Sequence, residues 1–152
     1  VLQIFHIKGS VMIITASKLR EEAKEAFPSL KSTFCEYVEC LDEQYLIPSE
    51  EESLQLIEKY WEPIKTIPWS KNIGDCDNRA IKLYVDVHWH RNLHREEYSE
   101  EERIQWAFGF ASGKNPFGIM HTFNIIRNDK GFFIFDHKMK QPISYQPIAA
   151  RF

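Results

Sequence analysis

Apolar positions in the first part of the chain recur at helical spacing. Leu19, Ala23, Ala26, Phe27 and Leu30 mark one face, with Thr15 and Ser17 standing ahead of them as capping residues. Pro28 ends that helix or breaks its last turn. Residues 32–46 read as a short extended piece with an acidic rim. A second helix starts at Pro48-Ser49-Glu50-Glu51-Glu52, where Ser49 caps and Glu52 follows at the capping-box distance. Leu54, Ile57, Tyr60, Trp61 and Ile64 are its predicted apolar face, and Pro63 and Pro68 close it. After a loop over 69–74, Asp75-Cys76-Asp77-Asn78 supplies cap-type residues before Ala80, Ile81, Leu83, Tyr84 and Val87, a third helix. Residues 88–103 are polar and read as a surface excursion, with Ser99-Glu100-Glu101-Glu102 as a short helix start.

From Trp106 the period changes. Residues 106–111 form a compact apolar run rich in aromatics, and 112–118 read as a loop with two Gly and a Pro. Residues 120–127 and 132–138 are predicted strands around the turn Asn128-Asp129-Lys130-Gly131. Helices first and strands afterwards predict an α+β fold with a small antiparallel sheet. A capping pattern directly after Met12 suggests a native start there. Residues 1–11 are then an extension, and 12–152 a single domain.

Nineteen basic against 22 acidic residues leave no basic stripe, which argues against gripping nucleic acid through its phosphates. The longest apolar runs are far too short for a bilayer span, so no membrane partner is expected. Residues 1–7 have no basic lead or cleavage site of a signal peptide. Cys35, Cys40 and Cys76 are an odd set without framework spacing, which predicts free thiols and a cytoplasmic setting.

Cys76 stands in the first turn of a predicted helix, where unpaired N–H groups and the helix dipole favour a thiolate. A small buried apolar role is the alternative. In the hairpin, an even loop pairs Arg127 with Phe132 and so sets Phe123 against Asp136. His121 and Asp136 then share a face as diagonal neighbours. An imidazole oriented by a carboxylate can take a thiol proton, the logic of acyl transfer.

Gly74-Asp75-Cys76-Asp77-Asn78-Arg79-Ala80 resembles the Asp-Cys-Asp-Asp-x-Ala signature of a papain-like cysteine-protease domain. That domain lies at the C-terminus of the Marasmius oreades agglutinin and occurs in related bacterial and phage proteins. More distantly, the motif is similar to transglutaminase-like cysteine proteinases. Residues 106–111, 121–125 and 133–136 resemble the strand blocks that carry that family's His and acid, so the likeness runs from about residue 48 to 142. It implies a papain-like fold with Cys76 as nucleophile, His121 as base and Asp136 as orienting acid. The agglutinin domain is calcium-dependent, which draws attention to Asp75 and Asp77 as metal ligands. Asn78 replaces the second Asp of the pair, removing one anionic oxygen. The likeness does not extend to that family's sugar-binding module.

Among other candidates, His90 and His94 converge on a helix while His88 diverges, leaving two ligands and no third. Cys35 and Cys40 lack a zinc partner pair. Besides the Cys76 N–H, Asn72 is the candidate oxyanion donor, with Ser70 behind it. Trp69 and Trp106 are candidate cleft walls or core residues. The reading at this level is a cysteine hydrolase, a peptidase acting on a protein or peptide substrate through an acyl-thioester, with no cofactor beyond calcium. The alternative is a non-catalytic bacterial or phage accessory or interaction protein that retains the papain-like fold.

Overall fold

The computed structural model describes residues 12–31, 38–70, 75–115, 117–136 and 145–152. Strand β1 (Met12–Thr15) leads into helix α1 (Ala16–Ala26), where the Thr15 hydroxyl accepts from the Lys18 amide at 3.2 Å. Strands β2 (Val38–Glu39) and β3 (Gln44–Ile47) precede helix α2 (Glu50–Lys65), capped by Ser49 through the Glu52 amide at 3.0 Å. Helix α3 (Cys76–Leu93) then leads to strands β4 (Phe108–Lys114), β5 (Met120–Asn128), β6 (Gly131–Phe135) and β7 (Gln146–Arg151).

Strands β1 and β3 pair with each other, while the main sheet runs β2-β7-β4-β5-β6. It is antiparallel except where short β2 runs parallel to β7. Helices α1, α2 and α3 sit around it, an α+β architecture as the pattern predicted. Both faces are covered. Phe123 and Ile125 of β5 pack in one cluster with Leu19 and Ala23 of α1. Ile126 packs in another with Leu56, Ile57 and Ile64 of α2 and Leu83 and Val87 of α3.

The β5–β6 turn closes as expected, with Arg127 opposite Phe132 and Asn128 opposite Gly131, whose φ of 120° suits only glycine readily. The turn is clamped to the start of α2. The Asp129 carboxylate accepts from the Glu50 amide at 2.8 Å, and the Asp129 amide donates to the Pro48 carbonyl at 3.0 Å. A slip of one residue would break this clamp, so it helps hold the hairpin's register.

Several expectations are corrected. Leu54 is exposed on α2 and Leu56 takes the buried place. Pro63 lies inside α2, which runs one turn-end further to Lys65. Residues 88–93 continue α3 instead of forming an excursion, because their polar groups find partners inside. The Tyr60 hydroxyl meets His90 Nδ1, and the Arg91 guanidinium lies over the rings of Tyr98 at 4.0 Å and Trp106 at 4.8 Å. Strand β4 reaches Lys114, past the predicted loop start at 112, and β6 ends at Phe135. Strand β7, interior to the sheet between β2 and β4, was not predicted. Residues 1–11 lie outside the described residues. Among the described residues, no helix is long and apolar enough to cross a membrane.

Candidate functional site

His121 sits on β5 opposite Gly113, and Asp136 directly follows β6. The even-loop register makes them diagonal neighbours, and the His121 Nε2 lies 2.9 Å from Asp136 Oδ1. Asp136 Oδ2 accepts a second bond, from the Tyr145 hydroxyl at 2.6 Å. Tyr145 immediately precedes β7 and lies against Phe123, ring centroids 4.8 Å apart. Sequence reasoning missed Tyr145, since nothing in the sequence tells that residues 145–151 return beside β4. Burial first, and the bond to Asp136 second, push the Tyr145 phenol above its usual range, so it stays a donor at neutral pH.

Asp136 and His121 are enclosed, with side-chain exposures of 2% and 10%. A carboxylate so buried needs its oxygens engaged, and here each is. The pair lies on the α1 face of the sheet, in line with Phe123 and Ile125. The body of α3 packs on the other face through Leu83 and Val87.

Cys76 is the first residue of α3 and is half-buried as a free thiol. The second turn of that helix is tied to β5, because Asn124 Nδ2 donates to the Ala80 carbonyl at 2.9 Å; the same amide donates to the Gly109 carbonyl of β4 at 3.2 Å. Arg79 fixes the neighbouring helix. It donates to the carbonyls of Ile64 at 3.3 Å and of Ile67, and so caps the C-terminal end of α2, which has carbonyls to satisfy. Its guanidinium also stands over the exposed Trp69 ring at 5.5 Å. Trp106, the other candidate wall, is core. The oxyanion candidate Asn72 lies outside the described residues.

Asp75 caps α3 by position without a side-chain bond to the helix amides. Asp77 is exposed and its carboxyl is raised, chiefly by a hydrogen bond with Asp75. Two carboxyl groups alone fall short of the six to eight oxygens that calcium takes. Among the described residues, no group of three or more His, Cys, Asp or Glu side chains is placed to hold a metal ion. His90 and His94 stack at 4.4 Å, with His94 Nδ1 2.8 Å from Glu97.

No family model matches the chain, and no curated protein matches it in sequence. Solved structures do match in fold. One, a PSL1a-E64 complex, superposes with a TM-score of 0.70 at 18% identity, over 92% of this chain and 51% of that one. Another is a Polyporus squamosus lectin bound to the human-type influenza-binding epitope Neu5Aca2-6Galb1-4GlcNAc. It superposes with a TM-score of 0.68 at 17% identity, over 92% of this chain and 49% of that one. The chain thus spans about half the length of each. These matches correct the expectation of a peptide-cleaving cysteine hydrolase with a protein or peptide substrate. The relative captured with a natural epitope is a lectin holding a carbohydrate. What the agglutinin-like motifs announced is borne out at the level of architecture: the chain has the papain-like α+β fold of these agglutinin-related lectins.

Proposed function

We propose that this chain is a non-catalytic interaction protein that retains the papain-like fold, and that the outer face of α3 is its contact surface. The observation that carries the reading is the outer face of α3. Its inner side gives Ala80, Leu83 and Val87 to the core, as an amphipathic helix should. Yet Ile81, Val85, Trp89 and Leu93, spaced four apart, remain 40%, 43%, 57% and 74% exposed. A helix apolar on its solvent side as well as its core side presents a contact surface. The fully engaged Asp136 supports the same reading, since its bonds to His121 and Tyr145 brace three segments of the fold.

The test compares the wild-type chain, Cys76→Ala and Trp89→Ser for cleavage of a peptide library and for retention on arrayed peptides and glycans. The reading expects retention without cleavage, unchanged in Cys76→Ala and lost in Trp89→Ser. Cleavage by the wild type that Cys76→Ala abolishes overturns it.

A further inference from the structure

The outer face of α3 is nearly symmetric along its length. With 3.6 residues per turn, Asn78, Ile81, Val85, Trp89 and Asn92 fall within about 40° of one line, at spacings of three, four, four and three. Outward from Val85 in either direction, an apolar residue comes first and an asparagine second. Ile81, Val85 and Trp89 are 40%, 43% and 57% exposed. One flank of the line carries Lys82 and Asp86, paired within the helix at 2.8 Å. The other carries Tyr84 and His88. His88 Nε2 meets the Phe108 carbonyl at 2.7 Å, and burial lowers the pKa of its ring, so this flank is uncharged. Along it runs an open groove of about 290 Å³, whose lining includes Val85, His88, Trp89 and Asn92. Four residues at that spacing frame the hole that takes a knob from a facing helix.

Resting on the reading of this face as a contact surface, we propose that its partner is a second copy of the chain, with the two α3 helices antiparallel across a two-fold axis beside Val85. Such an axis sets one patch against itself, so each position must suit the one it is carried onto. Val85 meets its own copy, Ile81 enters the hole formed by Val85, His88, Trp89 and Asn92 of the other chain, and Asn78 comes opposite Asn92. Polar residues in an otherwise apolar seam fix its register. The charges match too. The axis returns each flank to the same flank, so Lys82 comes level with Asp86 of the other copy, and Asp86 with its Lys82. Two ion pairs, each within one helix, become a ring of four alternating charges. A parallel pairing would set those charges against the uncharged Tyr84–His88 flank instead. A single helix pair is small beside the roughly 800 Å² per partner of a standard interface, so the dimer is weak, with Kd about micromolar or above, and the face stays open in dilute solution.

The experiment is sedimentation velocity from about 5 to 500 µM, the range a weak interface calls for. It compares the wild type, Trp89→Ser, Lys82→Asp, Asp86→Lys and an equimolar mixture of the two charge variants. Circular dichroism checks that each variant folds. The wild type is expected to dimerise as concentration rises, and Trp89→Ser to stay monomeric. Each charge variant should weaken pairing about ten-fold, because two attractions become two repulsions. Their mixture should recover wild-type affinity, since each then carries the charges the other lacks. A wild type still monomeric at the highest concentration overturns the second copy; array retention lost in Trp89→Ser would then leave the contact surface standing with another partner. A dimer that survives Trp89→Ser forms elsewhere and overturns the pairing. A dimer lost in Trp89→Ser but indifferent to both charge variants overturns the antiparallel register.

Discussion

Replacing Asp136 by Ala tests whether the His121–Asp136–Tyr145 cluster is a brace. The carboxylate is nearly inaccessible and accepts two bonds, at 2.9 Å from His121 and 2.6 Å from Tyr145. A hydrogen bond to a charged group contributes roughly 1.5–3 kcal/mol, and orphaning the partners costs more. Removing one member of a buried pair typically costs about 3–5 kcal/mol, which we expect here. For a chain of this size each kcal/mol lowers Tm by roughly 2–4 °C, so the fall should be about 10–15 °C. Urea unfolding monitored by tryptophan fluorescence measures the free-energy change directly. Tyr145→Phe alone should cost about 1–2 kcal/mol, and much less once Asp136 is already Ala, because the two share one bond. Asp136→Asn should fall between, since an amide still accepts from one neighbour. A loss under about 1 kcal/mol for Asp136→Ala, or additive effects with Tyr145→Phe, would refute the brace.

Burial, with His94 and Lys59 adding like charge, pulls the His90 pKa down to about 4 from its ordinary 6.5. The unfolded chain therefore binds that proton more readily, so this stability is fully present above about pH 6.5 and is lost as pH falls toward 4. Unfolding at pH 7.5 and 4.5 should differ by on the order of 2–3 kcal/mol through this residue, and His90→Gln should flatten that slope. Arg79→Ala strips the cap from the end of α2 and should cost about 2–3 kcal/mol in urea titrations, with Lys recovering less than half, as it lacks the planar fork. Gly109→Ala would place a Cβ 2.2 Å from the Arg151 carbonyl oxygen, so β7 must shift; a loss of about 1–3 kcal/mol by thermal melt is expected.

What was legible in the sequence was local. Thr15 and Ser49 cap where their side-chain chemistry requires, and the Asn128–Gly131 turn sets a register that brings His121 to Asp136. Periodicity was weaker wherever a partner elsewhere in the chain decided the outcome. Strand β7 contains Pro147, which argues against a central strand. Its pairing with β4 shifts register between Ser112 and Gly113, and such an irregularity accommodates a proline that cannot donate to the ladder. Polar composition hid the end of α3, because the groups that engage His90 and Arg91 come from Tyr60, Tyr98, Trp106 and the Glu102 backbone carbonyl. Leu54 and Leu56 are equally apolar, and only the packing of α2 chose between them.

The same argument bears on function. A Cys at a helix start, a strand His and a following Asp were read as chemistry because each spacing permits it. The exposed outer face of α3 directs attention elsewhere. Apolar residues on the core side and on the solvent side of α3 cancel in any one-sided pattern. The predicted third helix carries two superposed patterns, one for Ala80, Leu83 and Val87 against the sheet, and one for Ile81, Val85, Trp89 and Leu93 toward solvent. Folding alone explains the first. The second leaves apolar surface in water, and covering it on contact with a partner would gain roughly 25 cal/mol for each Å².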